Sequence, residues 1–368
     1  MPGTPQAPVD SVRARAWTIP TDAPESDATL AWDSTTVVVV EASAAGRTGT
    51  GWTYGHRAVC DLVNDTLAGL ATGADALRPG RVWSRAQDAC RNLGRPGVAA
   101  MAVSALDTAL WDLKARVLDL PLVAVLDAVH DTVPLYGSGG FTSYADRRLE
   151  EQLAGWVAQG IPRVKMKIGR DPGADAHRLA VARAAIGPDT ELYADANGAY
   201  RRKEALRWAE RLHAAGVTWL EEPVSSDDLA GLRLLRDRGP AGVDIAAGEY
   251  GFDIGYFRRM LEAGAVDCLQ ADVTRCGGVS GFLRTAALTD AHRLELSAHC
   301  APQLSAHVCT AVWHLRHLEY FHDHVRVEGL LFDGVLTPEP GGVLRPDRDR
   351  AGHGLRLVPE RVERYRVA

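Results

Sequence analysis

Lysine is almost missing from this chain: of its 41 lysines and arginines, only Lys114, Lys165, Lys167 and Lys203 are lysine. Positive charge is short as well. The formal net charge is −6, which leaves no basic footprint for nucleic acid or an anionic membrane surface. No apolar stretch reaches the ~18–20 residues that a bilayer requires. Met1-Pro2-Gly3-Thr4-Pro5 has no positive region leading into an apolar one, so no signal peptide is expected and the expected compartment is the cytoplasm. None of the six cysteines (Cys60, Cys90, Cys268, Cys276, Cys300 and Cys309) forms a C-x-x-C pair, and reduced thiols are expected rather than disulfides or a zinc site. A glycine-rich phosphate loop is also lacking, because Gly137-Ser138-Gly139-Gly140 has neither the G-x-G-x-x-G spacing nor a clear helix start. His314, His317, His322 and His324 lie close in sequence, but their spacing fits no H-E-x-x-H or zinc-finger template, so no metal is expected there.

What is present is the composition of an ordinary soluble globular protein: 46% hydrophobic and 24% charged over 368 residues. That length accommodates one barrel-sized domain and a smaller one. Residues 1–130 read as a mixed α+β unit, with strands at 11–17 and 35–42 and helices at 58–71, 84–93 and 99–118. Across 131–328 short apolar strands alternate with amphipathic helices in units of ~25–30 residues, a pattern that favours a closed parallel barrel over a sandwich or an open sheet. Residues 329–368 are rich in glycine and proline turns and are expected to pack back on the N-terminal unit.

Within this plan half of the lysines sit two residues apart, in Val164-Lys165-Met166-Lys167-Ile168. Strand periodicity points both amines to one face. Mutual repulsion there lowers the pKa of at least one of them, and lysine, unlike arginine, can then lose its proton and act as a general base. A solvated strand edge guarded against aggregation would carry the same tripeptide, so the downstream residues decide.

Three of those residues are carboxylates at the ends of consecutive expected strands. Asp195, Glu221 and Glu249 lie 26 and 28 residues apart, about one βα unit each. A closed barrel would set them side by side at its C-terminal rim. Three oxygen ligands with open positions suit Mg²⁺. Asp272 and His299 follow, 27 residues apart, in register for a carboxylate that fixes the imidazole tautomer. Glu319, on a candidate last strand, could face the same pocket, with Glu328 as a nearby competitor.

Taken together, Lys165-Met166-Lys167, Asp195-Ala196-Asn197-Gly198, Glu221-Glu222-Pro223, Gly248-Glu249, Asp272-Val273-Thr274-Arg275-Cys276-Gly277-Gly278 and Ala298-His299 resemble the enolase superfamily, mandelate racemase subgroup. The resemblance extends over essentially the whole chain. It implies an α/β fold: a modified (β/α)₇β barrel of the TIM type under an α+β N-terminal capping domain. It implies Lys167 as the catalytic lysine on one face of the substrate, Lys165 as its auxiliary, and Asp195, Glu221 and Glu249 as Mg²⁺ ligands. It further implies His299, oriented by Asp272, as the base on the opposite face, Glu319 as the acid that hydrogen-bonds the substrate carboxylate, and a homo-oligomer.

The implied chemistry is removal of the proton α to a carboxylate to give a metal-stabilised enediolate. β-Elimination of water from an acid sugar would then give a 2-keto-3-deoxy acid, whereas reprotonation from the far face would racemise or epimerise an α-hydroxy acid. Segments 20–36 and 49–57 read as specificity loops whose polar side chains suit a polyhydroxylated acid. Candidate substrate contacts are Ser138, Asn197, Trp52 and Tyr54. A non-catalytic barrel has no need of this whole set. A zinc hydrolase would want several histidines at strand ends, where only His299 qualifies.

Overall fold

The computed structural model describes residues 6–368. Three antiparallel strands, β1 (Ser11–Ser26), β2 (Ala31–Ala44) and β3 (Arg47–Tyr54), form the N-terminal sheet in that order. These strands are longer than the sequence suggests. Pro20 and Pro24 fall inside β1, which is an edge strand, where a missing N–H costs little, and a register shift between Pro20 and Glu25 absorbs the irregularity. The expected loop at 20–36 is therefore the tip of a long hairpin, and most of the expected loop at 49–57 is β3. Gly49 and Gly51 are packing residues, not turn residues. A Cβ on Gly49 would stand 2.2 Å from the backbone nitrogen of Leu113, and one on Gly51 would stand 2.3 Å from the carbonyl oxygen of Ala105. Their bare backbones let the helix Val98–Val117 lie directly on the sheet. The helix expected at 84–93 runs instead from Pro79 to Ala89, with proline in its first turn, where its missing N–H does no harm.

Eight parallel strands make the barrel: β4 (Val133–Gly139), β5 (Arg163–Lys167), β6 (Glu191–Asp195), β7 (Val217–Glu221), β8 (Asp244–Ala247), β9 (Cys268–Ala271), β10 (Glu295–Ala298) and β11 (Leu315–Phe321). Pairing of β11 with β4 closes the ring, and a helix follows every strand, so the fold is the expected TIM-type barrel with an α+β cap. Alternation along each strand divides the side chains. On β5, Val164 and Met166 face outward into the main core beneath the helices, while Lys165 and Lys167 face the barrel interior. Tyr136, Tyr193, Trp219, Ala246 and Cys268 fill that interior below the lysines.

The cap is fastened to the rim that carries the C-terminal ends of the strands. Thr53 donates its hydroxyl to the Thr274 carbonyl (2.8 Å), and Ser280 Oγ donates to Asp107 (2.7 Å). At the hairpin tip, the Thr142 N–H bonds the Ser26 carbonyl (2.8 Å), Ser143 Oγ bonds the Pro24 carbonyl (2.7 Å), and Arg326 bonds the Pro20 carbonyl (2.7 Å). Past the helix His322–Leu331 the chain adds three short strands, β12 (Phe332–Asp333), β13 (Val343–Leu344) and β14 (Arg356–Leu357). Its last residues return to the cap, where the Val367 N–H bonds the Ala16 carbonyl at 2.9 Å. All six cysteines are free and buried. Among the described residues no helix is long and apolar enough to cross a membrane.

Candidate active site

The residues singled out in the sequence converge at the C-terminal mouth of the barrel. Lys167, Asp195 and Glu221 are the last residues of β5, β6 and β7 and are register partners: Lys167 pairs with Asp195, and Asp195 with Glu221. Glu249 lies two residues past β8, reached through Gly248 at φ +141°, where a Cβ would stand 1.9 Å from the Gln270 carbonyl oxygen. Asp272 and His299 directly follow β9 and β10, and Glu319 is inside β11. Several non-glycine residues beside these positions hold left-handed backbone, Asn197 at φ 42°, Glu222 at 39°, Cys300 at 53° and Ala301 at 44°. Strain of this kind persists only where the surroundings over-determine it, and it concentrates at functional sites.

The side chains form a buried chain of alternating charges in which only Lys167, His299 and Glu249 keep a small exposed area. Lys165 Nζ lies 2.7 Å from Glu221, 2.9 Å from Glu319 and 3.5 Å from Asp195. Lys167 Nζ bonds Asp195 at 2.5 Å. His299 Nδ1 bonds Asp272 at 2.8 Å, and its Nε2 lies 2.6 Å from Glu249 and 3.5 Å from Glu319. Asp272 is itself anchored by the backbone N–H and hydroxyl of Thr274, both at 2.7 Å. This is the dyad expected from the 27-residue spacing.

Burial and charge pull the pKa values in opposite directions. Burial works to lower both lysines. Glu221 and Glu319 overcome it at Lys165, and Asp195 overcomes it at Lys167, so both ammonium groups are held above their ordinary range. The repulsion expected to lower at least one of the two ammonium groups is present but outweighed by the carboxylates beside them: Lys165 does push Lys167 down, but Asp195 pushes harder. Burial and the neighbouring Asp195 push Glu221 up to about 8. Burial opposes the charge on His299, Glu249, Asp272 and Glu319, but their opposite-charge contacts prevail, raising the imidazole and lowering the carboxylates.

The carboxylates Asp195, Glu221, Glu249, Asp272 and Glu319 outnumber the cations Lys165, Lys167, Arg275 and His299. Two further acceptors, Asn197 Oδ1 and Glu222 Oε1, are buried with no hydrogen-bond partner. A surplus of buried oxygen acceptors with too few donors is chemistry that fits a hard divalent cation such as Mg²⁺. The three carboxylates do not crowd around one point, however. Among the described residues the clusters with all ligand atoms within 4.8 Å of one another are His299–Cys300–Glu319 and Asp22–Glu25–His322. The lysine ammonium groups lie against Asp195 and Glu221, and His299 lies against Glu249.

The expected substrate contacts fare unevenly. Trp52 is fully buried in the seam between cap and barrel, its ring against Phe332 and its indole N–H donating to Glu328 at 3.0 Å, so it does not serve as a substrate contact. Tyr54 likewise gives its hydroxyl to Glu328 (3.1 Å) and stacks on His324. Ser138 donates to Glu319 at 2.5 Å, which makes it a support for that carboxylate. Only Asn197 keeps a free polar atom beside the site. Glu328, the competitor of Glu319, belongs to the seam, where it also accepts the Gln303 N–H at 3.0 Å. The sequence reading missed Cys300, whose Sγ lies 3.3 Å from both His299 Nε2 and Glu319 Oε2; adjacency to His299 was the available signal. It also missed the meeting of Asp22 and Glu25 with His322, which no local pattern could reveal.

Comparison with known proteins agrees with this architecture. Residues 11–126 match the mandelate racemase/muconate lactonizing enzyme N-terminal domain, and residues 148–361 match the enolase C-terminal domain-like family. A mandelate racemase/muconate lactonizing enzyme-like protein from Rubrobacter xylanophilus is 59% identical, with a TM-score of 0.96 over 98% of this chain and 100% of its own. The 3,6-anhydro-α-L-galactonate cycloisomerase of Streptomyces coelicolor is 31% identical over 98% of this chain and 99% of its own. The L-talarate/galactarate dehydratase of Salmonella typhimurium is 30% identical over 85% of this chain and 77% of its own. Its structure liganded with Mg and L-lyxarohydroxamate has a TM-score of 0.88, at 26% identity over 99% of this chain and 94% of its own. This chain belongs to the mandelate racemase/muconate lactonizing enzyme family of the enolase superfamily.

Proposed function

We propose that this chain is a Mg²⁺-dependent acid-sugar dehydratase that removes the proton α to a carboxylate and then eliminates the β-hydroxyl as water. The observation that carries the proposal is the pairing of two proton-transfer groups, Lys167 on β5 and the Asp272-oriented His299 after β10, around one ring of buried carboxylates. Asp195, Glu221 and Glu249 would hold the Mg²⁺ ion. When bound, that ion supplies positive charge for an anionic substrate and takes up carboxylates that otherwise hold the lysines protonated.

The chain's own groups supply the rest. Lys167, relieved of the Asp195 charge, takes the α-proton onto Nζ. Glu319, held by Ser138 and Lys165, faces the substrate carboxylate and hydrogen-bonds it once it carries a proton, and Lys165 adds positive charge where negative charge develops. His299 then gives its Nε2 proton to the departing β-oxygen, the electron pair of the Cα–H bond becoming the new double bond as the C–O bond breaks. The enol product ketonises to a 2-keto-3-deoxy acid. A β-oxygen that is part of a ring leaves by the same step and opens the ring, which accommodates the cycloisomerase relative.

Support for a sugar acid comes from two aligned relatives that act on one, a dehydratase and a cycloisomerase. A second reading, racemisation or epimerisation of an α-hydroxy acid, draws on the same two-base arrangement: His299 would then return a proton to Cα from the far face. Incubation of the Mg²⁺-loaded chain with aldonic and aldaric acids, followed by semicarbazide detection of 2-keto products, tests the proposal. A 2-keto-3-deoxy acid from at least one of them is expected. Inversion at Cα with no 2-keto product would favour the racemase, and no change in any acid would count against both.

A further inference from the structure

The histidine-rich stretch near the end of the barrel scatters its side chains. His314 faces Asp290, His317 is buried inside the barrel with Ser297, and His324 stacks on Tyr54. His322, the first residue of the helix after β11, reaches the capping hairpin 300 residues away, its Nε2 lying 3.2 and 3.1 Å from Oδ1 and Oδ2 of Asp22. Glu25, three residues further along β1, completes a cluster in which one ligand atom from each residue lies within 4.8 Å of the other two.

Glu25 is what sets this cluster apart from a surface ion pair. Its side chain is only 1% exposed, its Oε2 receives the Trp32 indole N–H at 2.8 Å, and its Oε1 has no partner among the described residues. The neighbouring acids have arginines: Arg148 lies 2.9 Å from Asp22 Oδ2, and Arg326 lies 2.5 Å from Asp323. Glu25 has none. Burial pushes Glu25 up to about 8, so the carboxyl with its bare oxygen keeps a proton near neutral pH; a metal ion is another group that can satisfy it, by displacing that proton.

We propose that Asp22, Glu25 and His322 form a second metal site, distinct from the carboxylate ring, which binds a divalent transition-metal ion. One imidazole nitrogen and two carboxylate oxygens suit Zn²⁺, Co²⁺ or Mn²⁺ better than Mg²⁺, which favours an all-oxygen shell. Arg148 beside Asp22 Oδ2 and the Trp32 indole N–H on Glu25 Oε2 orient the two carboxylates. Asp22 is half-exposed and gives the ion a way in. Since Asp22 and Glu25 belong to the hairpin and His322 follows the barrel strand that carries Glu319, an ion here pins the hairpin to the barrel mouth.

The test uses the full chain with Glu221→Gln to weaken the carboxylate ring and excess Mg²⁺ to occupy what remains of it. Zn²⁺ is titrated by calorimetry, and Co²⁺ by its visible absorption. One equivalent of each is expected to bind, with Co²⁺ bands showing nitrogen ligation and Zn²⁺ raising the melting temperature. Glu25→Gln, which can still accept the Trp32 N–H, and the more exposed Asp22→Asn should each weaken that binding by at least about tenfold and abolish the thermal gain. Absence of Zn²⁺ and Co²⁺ binding in the parent, or equal binding in the parent and both variants, would overturn the proposal.

Discussion

Glu328 offers the sharpest test of how cap and barrel are joined. It is fully buried and receives three donors, the Trp52 indole N–H, the Tyr54 hydroxyl and the Gln303 backbone N–H, at 3.0, 3.1 and 3.0 Å. Burial nonetheless dominates and pushes its pKa up to about 8 from 4.5. In the unfolded chain the carboxyl ionises near its ordinary value, so between roughly pH 5 and 8 the folded state holds a proton that the unfolded state has released. Stability is therefore lost as pH rises through this window, by about 1.4 kcal/mol per pH unit. For a chain of 368 residues that corresponds to about 2 °C in Tm per unit. Glu328→Gln removes the titration while keeping the shape. Its amide nitrogen cannot accept the Gln303 N–H, a fixed cost of about 1–3 kcal/mol that does not vary with pH. Melting curves of both proteins at matched ionic strength from pH 5 to 9 should show the wild type losing ground to its own low-pH value faster than the variant, and the two running parallel above about pH 8. Parallel curves across the whole range would refute the claim that burial outweighs the three donors.

Other consequences are equally direct. Lys167→Arg keeps a cation beside Asp195 but cannot give up a proton, so turnover should fall by about 10²–10⁴-fold with Mg²⁺ calorimetry unchanged; undiminished turnover would remove the lysine from the mechanism. Glu221→Gln should weaken Mg²⁺ binding, and an unchanged titration would rule Glu221 out as a ligand. Gly248→Ala places a Cβ 1.9 Å from the Gln270 carbonyl at φ +141°, which should cost about 3 kcal/mol or more; a wild-type melting temperature would contradict that packing.

The barrel is legible in the sequence because its strands obey two rules at once, an apolar outward face and a polar residue at or within two positions of the C-terminal end. Asp195 and Glu221, expected at strand ends, are the last residues of β6 and β7, and Glu249 lies two residues past β8. The cap is less legible. Prolines within an edge strand and glycines chosen for helix packing carry the same local signal as turns, so β1 reads short and β3 reads as a loop. The candidate site divides along the same line. Positions fixed by strand ends, from Lys165 to Glu319, can be found by counting βα units. Trp52 and Tyr54 cannot be assigned that way, since their partner Glu328 lies 276 and 274 residues away. The protonation of Lys167 is illegible for a further reason: it depends on whether Asp195 or Lys165 exerts the stronger field, and that is a matter of distance, not of sequence.

Proton transfer at the α-carbon is best followed by proton NMR in D₂O, with the Mg²⁺-loaded chain and a panel of aldonic, aldaric and aryl α-hydroxy acids. At least one acid sugar should lose its α-proton signal as a 2-keto-3-deoxy acid appears with deuterium at C3. If every acid keeps its α-proton while calorimetry shows Mg²⁺ bound and the chain remains folded, α-proton abstraction by Lys167 and His299 is contradicted.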